Sequence, residues 1–229
     1  MACAPTTAGQ AARHHAGGSA RWSPRTAALV CVAENSRWVL CSLYPVWFFG
    51  CMPDGSITTF FGVLFWPLLP NPDDIRIADI AHALSQQCRF AGHTRTFYGV
   101  AEHSVRVSQL CRPEDALWGL LHDASEAFLT DVPAPLKELP QFEAYRAAER
   151  RLQRTIATRF GLAPEQPESV GDADHSILRV EIRDLLTSIN ASQSKRAPQK
   201  DKLAITAPWP PRVAEARFLS RFRELCRKV

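Results

Sequence analysis

Between Asp73 and Leu84 the apolar residues Ile77, Ile80, Ala81 and Leu84 recur three and four positions apart behind a pair of acids. That spacing predicts a helix with one buried face and acids near its positive end, finishing near Cys88. The period returns at Val100, Val105, Val107 and Leu110, in a helix that ends at Arg112-Pro113. Pro113-Glu114-Asp115 opens the next, with proline at a first-turn position, and it runs through Leu117, Leu120, Leu121 and Phe128. Pro133, Pro135 and Pro140 break the chain. Phe142 to Phe160 then reads as a long amphipathic helix stopped by Gly161. Ile177, Leu178, Ile182, Leu185 and Leu186 trace another, and Pro210-Pro211 opens a last one carrying Val213, Phe218, Phe222 and Leu225. Ile57 to Leu68 differs: it is β-branched and aromatic around Gly62, which predicts a short hairpin. Residues 89–98 and 190–210 read as loops, and no internal repeat is seen. The expected fold class is all-α, with a small β-hairpin ahead of the core.

Residues 1–51 lack this order. They hold Arg13, Arg21, Arg25 and Arg37 against one acid, Glu34, and Ala, Ser, Thr and Gly dominate the first thirty positions. Such a composition predicts a poorly ordered extension, in which His14 and His15 are solvated. The apolar stretch Trp38–Met52 is short for a membrane span and is interrupted by Pro45 and Gly50. It also begins late for a signal peptide, and no clear cleavage site follows. The basic, acid-poor character admits a transit peptide. The simpler reading is an extension over 1–51 and a folded domain over 52–229, with Met52 as an alternative start.

Composition narrows the class. The 229 residues are 46% hydrophobic and 22% charged, as in ordinary soluble domains. A formal charge of +4 suits small anionic ligands and does not by itself argue for nucleic acid. Seven cysteines, an odd number without a CxxC pair, point to a reducing, cytoplasmic setting without a disulfide framework. Cys88, Cys111 and Cys226 are expected to act as small buried hydrophobes.

Against this background His122-Asp123 stands out, nineteen residues after His103 and inside apolar helical sequence. Burying two imidazoles and a carboxylate is costly unless something binds them. His103 lies about as far before the turn at Cys111–Pro113 as His122 lies after it. In an antiparallel helix pair such positions face each other, and Asp123 follows next in sequence. Asp174 is the best fourth oxygen ligand, with Asp172 as its near rival, and it shares a helical face with Ile177, Leu178 and Glu181. Two His and two Asp suit one divalent ion such as Mn, Co, Zn, Fe or Mg. A bound ion of this kind brings the pKa of a water toward neutrality and makes a nucleophile available. Glu126, four residues after His122, is placed to position that water or move a proton, and Asp131 is a second candidate. Arg89 and His93 can meet a substrate phosphate. His82 and His175 carry no assigned role.

The segments Ala101-Glu102-His103-Ser104, His122-Asp123-Ala124-Ser125-Glu126 and Thr130-Asp131-Val132-Pro133-Ala134-Pro135-Leu136-Lys137 resemble the HD-domain metal-dependent phosphohydrolases. They look closest to the bacterial 5′-deoxynucleotidase branch, in which an HDASE segment leads into D-x-P-x-P-x-K. Asp79 to Leu84, Cys88-Arg89-Phe90 and Gly92 to Arg95 are similar to phage-type and bacterial members with a short strand pair in front. The resemblance covers residues 56 to 227. It implies an all-α fold with one divalent ion held by His103, His122, Asp123 and Asp174. It also implies a glutamate, Glu126, near the attacking water, nucleotide contacts from Arg89 with Phe90 as its aromatic neighbour, and a homodimer as an admissible assembly.

The leading expectation is removal of phosphate from deoxyribonucleoside 5′-monophosphates. Release of triphosphate from deoxynucleoside triphosphates is the alternative on the same fold. A nucleic-acid-binding module is a different class, and the core offers it no zinc-finger spacing, recognition helix or aromatic-basic strand pattern, so no stable nucleic-acid complex and no membrane association are expected. A non-catalytic helical scaffold with a structural metal is the third class.

Overall fold

The computed structural model describes residues 55–187 and 203–227, and the expectations for residues 1–51 fall outside that range. The described chain is mostly helical, as the apolar periodicity requires. A minimal antiparallel hairpin comes first, with β1 (Ile57–Thr58) paired to β2 (Leu64–Phe65) so that Ile57 faces Phe65 and Thr58 faces Leu64. Gly62 takes φ 78° in the connection, a conformation that suits a residue without Cβ. The helices are α1 (Ile77–Gln86), α2 (Val100–Leu110), α3 (Ala116–Leu121), α4 (Glu126–Leu129), α5 (Ala134–Lys137), α6 (Glu143–Arg159), α7 (Glu168–Leu185) and α8 (Pro211–Cys226). Gly161, at φ 68°, closes α6 in the left-handed conformation common after helix ends.

The fold is organised around α2, which packs against α1, α3, α7 and α8. Eight of its eleven residues, Val100 to Val105 together with Val107 and Ser108, are buried. A helix enclosed on nearly all sides is normally apolar, so each polar side chain in it must find a partner. Ser104 Oγ donates to the Val100 carbonyl at 3.0 Å, and Ser108 Oγ donates across to the Ala116 carbonyl at 2.7 Å. Glu102 accepts from Arg106 Nη2 at 2.7 Å and from the Trp209 amide at 2.6 Å. The guanidinium groups of Arg106 and Arg217 lie 5.4 and 4.1 Å from the centre of the Trp209 indole, which fixes the segment entering α8. The main core joins Ile80 and Leu84 of α1, Val105 of α2, Leu120 and Leu121 of α3, Leu152 and Ile156 of α6, and Phe218 of α8. A second cluster links Val107, Trp118, Ala157, Val170 and Ile177.

Close approach of α2 and α3 depends on Gly119. A Cβ there would lie 2.5 Å from Cys111 Sγ and 3.2 Å from Ser108 Cα, and the second contact is with backbone that cannot swing aside. His103 lies on α2 and His122 directly follows α3, so the space left by the missing methyl lets the two residues approach.

The structure departs from the sequence pattern at three places. The helix expected from Pro113 through Phe128 is broken: Leu121 ends α3, a turn holds residues 122–125, and Glu126 begins α4. Successive i→i−3 hydrogen bonds, Ala124 to Leu121 and Glu126 to Asp123 among them, tighten the chain there. The expected start of the helix bearing Asp174 also moves. The apolar residues tracing that helix begin at Ile177, whereas Pro167 and Glu168 open α7, which places Asp174 well inside it. Finally, the three cysteines expected to be buried are not: Cys88 and Cys111 are half-buried and Cys226 is exposed, all as free thiols. Each lies at or just beyond a helix end, where the apolar stripe meets solvent. Among the described residues no helix is long and apolar enough to cross a membrane.

Gly119→Ala is expected to lower stability by about 1–3 kcal/mol through overpacking, read as a lower urea midpoint. An unchanged midpoint would show that the α2–α3 spacing is not set at this residue.

Candidate metal centre

The four sequence-derived ligands arrive from three separate stretches of chain. His103 lies at the end of the first turn of α2, His122 and Asp123 in the turn after α3, and Asp174 in α7. Their side chains converge. His103 Nε2 is 3.2 Å from His122 Nε2, 3.4 Å from Asp123 Oδ2 and 3.1 Å from Asp174 Oδ1. His122 Nε2 is 3.2 Å from Asp123 Oδ2 and 4.0 Å from Asp174 Oδ1. His103, His122 and Asp123 form a buried group whose ligand atoms lie within 4.8 Å of one another and could hold a metal ion. Asp174, the most exposed of the four, borders that group from the α7 side. Asp172, its rival in sequence, is exposed about 200° around the helix from Asp174 and makes no contact with the cluster among the described residues.

The hydrogen bonds behind the rings decide what the cluster can do. His103 Nδ1 is 2.7 Å from Glu181 Oε1, and His122 Nδ1 is 2.9 Å from the Gly119 carbonyl. Both acceptors require a proton on Nδ1, so the neutral rings turn bare Nε2 lone pairs toward each other. Two lone pairs and two carboxylate oxygens then meet at hydrogen-bond distances with a surplus of acceptors. A positive charge between them, either a proton on His103 Nε2 or a metal ion, resolves the conflict. Donors that share one small divalent ion at about 2.1 Å sit about 3.0–3.4 Å apart, which is the spacing seen for most pairs here. The donor set therefore fits a divalent ion, with the outer nitrogen of each imidazole anchored as metal-bound histidines usually are.

The electrostatics agree. Burial and Arg89 work against a charged His103, yet Glu181 and Asp174 outweigh them and push the ring up to about 9. Burial opposes ionisation of Asp123, but His122, His103 and Arg89 hold it well below the usual carboxylate range. Asp174 is lowered against the same burial penalty by His103 and His122. The pocket thus draws positive charge and keeps its acids ionised.

Around this group lie the remaining candidates. Arg89 Nη1 is 3.3 Å from Asp123 Oδ2 and Arg89 Nε 3.3 Å from Glu181 Oε2, the latter an ion pair without hydrogen-bond alignment. Phe90 leans on the Arg89 guanidinium at 5.6 Å and takes φ 55°, and Ala91 takes φ 51°. Two consecutive non-glycine residues at positive φ are strained backbone beside the arginine. His93 is exposed on the same turn, and among the described residues no contact joins its ring to the cluster. Glu126 is buried, with Oε1 3.0 Å from Lys137 Nζ and Oε2 without a partner. Burial and the charges of Asp123 and Asp131 push it well above the carboxylate range despite Lys137. Asp131 is also raised, first by burial. A cleft of about 300 Å³ runs from His122 and Asp123 over Lys137 and Gln153 to the loop at Pro164–Gln166.

Several supporting residues were not legible in the sequence as such. Gln153 of α6 accepts from the Ser125 amide at 3.1 Å and donates to the Leu121 carbonyl at 2.7 Å, satisfying both sides of the break that presents His122 and Asp123. Gln87 does the same lower down, donating to the Glu126 carbonyl at 2.9 Å and accepting from the Asp131 amide at 3.1 Å. Lys137 bridges Glu126 and Glu149, the latter at 2.6 Å. Only Lys137 and Glu181 had a signal: the first closes the D-x-P-x-P-x-K segment, and the second lies two helical turns after Asp174.

Known proteins place the chain in a family. It is 46% identical over 129 residues to the uncharacterized protein YfdR of Escherichia coli (strain K12), an alignment covering 56% of this chain and 71% of that protein. It is 32% identical over 178 residues to an uncharacterized protein of Rhodobacter capsulatus, covering 70% of this chain and 90% of the relative. The chain belongs to the YfdR family. No protein-family model matches it. Membership accounts for the shared chain, and the chemistry must be argued from the centre itself.

Gln153→Ala leaves the Leu121 carbonyl and the Ser125 amide without their partner. The expected cost is about 1–3 kcal/mol, measured by chemical denaturation. A loss below the error of the measurement would mean that water or another side chain replaces the amide at no cost.

Proposed function

We propose that this protein is an HD-domain phosphohydrolase that removes the phosphate of deoxyribonucleoside 5′-monophosphates with the help of one divalent ion. The observation that carries the reading is the convergence of His103, His122 and Asp123, bordered by Asp174, with Arg89 in contact with one of the acids. The likeness of the His122–Glu126 and Thr130–Lys137 segments to the deoxynucleotidases supports the substrate class. A divalent ion bound there supplies Lewis acidity, which polarises a phosphoryl oxygen and lowers the pKa of a water.

The chain's own groups supply the rest. The Arg89 guanidinium, held charged by Glu181 and Asp123 against burial, presents a planar fork to phosphate oxygens beside the ion site. It offsets charge on the equatorial oxygens as the ester bond breaks. Burial with Asp123 and Asp131 nearby raises the proton affinity of Glu126, and its Oε2, without a partner among the described residues, is free to exchange a proton with the reacting groups. Asp131, raised in the same direction, is its alternate. Lys137, pushed above its ordinary value by Glu126 and Glu149 in spite of burial, fixes the carboxyl in place.

Charge favours a monophosphate over a triphosphate. Six acids (Asp123, Glu126, Glu149, Asp131, Asp174 and Glu181) surround the centre and its cleft with Arg89 and Lys137 as their paired cations. One divalent ion leaves this set with about two negative charges, which opposes three phosphates more than one. Further along the cleft, Arg150 and Arg154 are engaged by Glu143 and Glu165.

The test is a panel of deoxynucleoside and ribonucleoside mono- and triphosphates with Mn, Co, Mg or Zn and separate detection of phosphate and tripolyphosphate. Phosphate release from deoxynucleoside monophosphates, lost with metal binding in Asp123→Ala, is the expected result. Tripolyphosphate as the product, or turnover in metal-stripped protein, would contradict it. Glu126→Gln is expected to cut kcat by about 10²–10⁴-fold with metal binding intact. Wild-type kcat in that variant would assign proton transfer to another group.

A further inference from the structure

Glu181 has two partners, and each does a different job. It is fully buried in α7, on the face shared with Asp174 two turns earlier. Oε1 takes the Nδ1 proton of His103 at 2.7 Å, and Oε2 stands 3.3 Å from Nε of Arg89. The buried Tyr98 hydroxyl faces the same carboxylate. Arg89 in turn reaches Asp123, so the contacts close a ring from His103 through Glu181 and Arg89 to Asp123 and back across the ion site at 3.4 Å. A buried ion pair is a poor stability device, because removing two charges from water costs about as much as their attraction returns. One carboxylate shared between a metal-ligand imidazole and a phosphate-facing guanidinium has a functional use.

We propose that Glu181 is a positioning residue that sets both the metal affinity of His103 and the placement of Arg89 for the substrate phosphate. The inference rests on the phosphohydrolase reading for the role of Arg89, and on the geometry of the centre alone for the role of His103. Through His103 the carboxylate makes Nε2 a stronger donor. Through Arg89 it holds the guanidinium beside the ion site, where that cation also opposes the metal. The two partners of Glu181 therefore act on metal binding with opposite sign. A merely structural ion pair has no such asymmetry, since loss of either member leaves the other buried and unpaired.

The experiment compares full-length wild type, Glu181→Gln and Arg89→Met by titration with Mn²⁺ alone, reading free Mn²⁺ by electron paramagnetic resonance. Inorganic phosphate is then titrated by calorimetry at saturating Mn²⁺. Glu181→Gln is expected to weaken Mn²⁺ binding by about 10–100-fold and to weaken phosphate binding as well. Arg89→Met is expected to weaken phosphate binding while Mn²⁺ binding stays equal or becomes tighter. Mn²⁺ affinity within twofold of wild type in Glu181→Gln would overturn the proposal. So would a loss of Mn²⁺ affinity in Arg89→Met of tenfold or more, which decides the matter even where the glutamine variant does not fold. The metal arm requires no turnover: wild type that binds Mn²⁺ but hydrolyses no nucleotide would refute the proposed activity and leave the role of Glu181 toward His103 to be judged by the titration.

Discussion

Two imidazole nitrogens held 3.2 Å apart inside a protein are stable together only with positive charge between them, whether a proton or a metal ion. That constraint governs the centre of this molecule. The Glu181 carboxylate and the Gly119 carbonyl each claim an Nδ1 proton, which leaves the Nε2 lone pairs no choice of direction. Two aspartate oxygens added at 3.1–3.4 Å deepen the negative potential. Everything nearby either keeps those four side chains in register or uses the charge they collect.

Register is maintained by packing. Helix α2 is enclosed on nearly every side, so His103 cannot turn away from the centre, and Gly119 lets α3 come close enough for His122 to reach it. The chain then breaks after Leu121 instead of continuing as helix. A regular helix would send consecutive residues 122 and 123 in directions one hundred degrees apart. The tightened turn brings both to one point, and Gln153 satisfies the backbone groups that the break releases. A second layer of carboxyls and cations, Glu126 with Lys137 and Asp131 near Arg89, surrounds the cluster.

The parts of this arrangement that follow one-dimensional rules were readable in the sequence. Apolar periodicity gave the helices, and the equal distances of His103 and His122 from one turn foretold their meeting. Asp174 was reachable through its helical face, although its helix begins earlier than the apolar residues suggest, because Pro167 and Glu168 make a good start without a hydrophobic stripe. The break at residues 122–125 was not legible, since Leu117 to Phe128 keeps helical spacing throughout and the disrupting partner, Gln153, is twenty-eight positions from Ser125. Glu181 is seventy-eight residues from His103, and a glutamate on an amphipathic helix looks solvated until the packing is known. His93, read from the sequence as a phosphate contact in the loop after Gly92, is exposed and touches none of the cluster among the described residues.

The most direct test of the central claim is diffraction from crystals grown with Mn²⁺, using anomalous scattering to locate the ion. The account predicts one strong peak about 2.0–2.3 Å from His103 Nε2, His122 Nε2 and a carboxylate oxygen of Asp123, with Asp174 in the same coordination shell. The absence of a peak between the two rings at saturating Mn²⁺, or rings turned so that their Nε2 atoms no longer face each other, would contradict it.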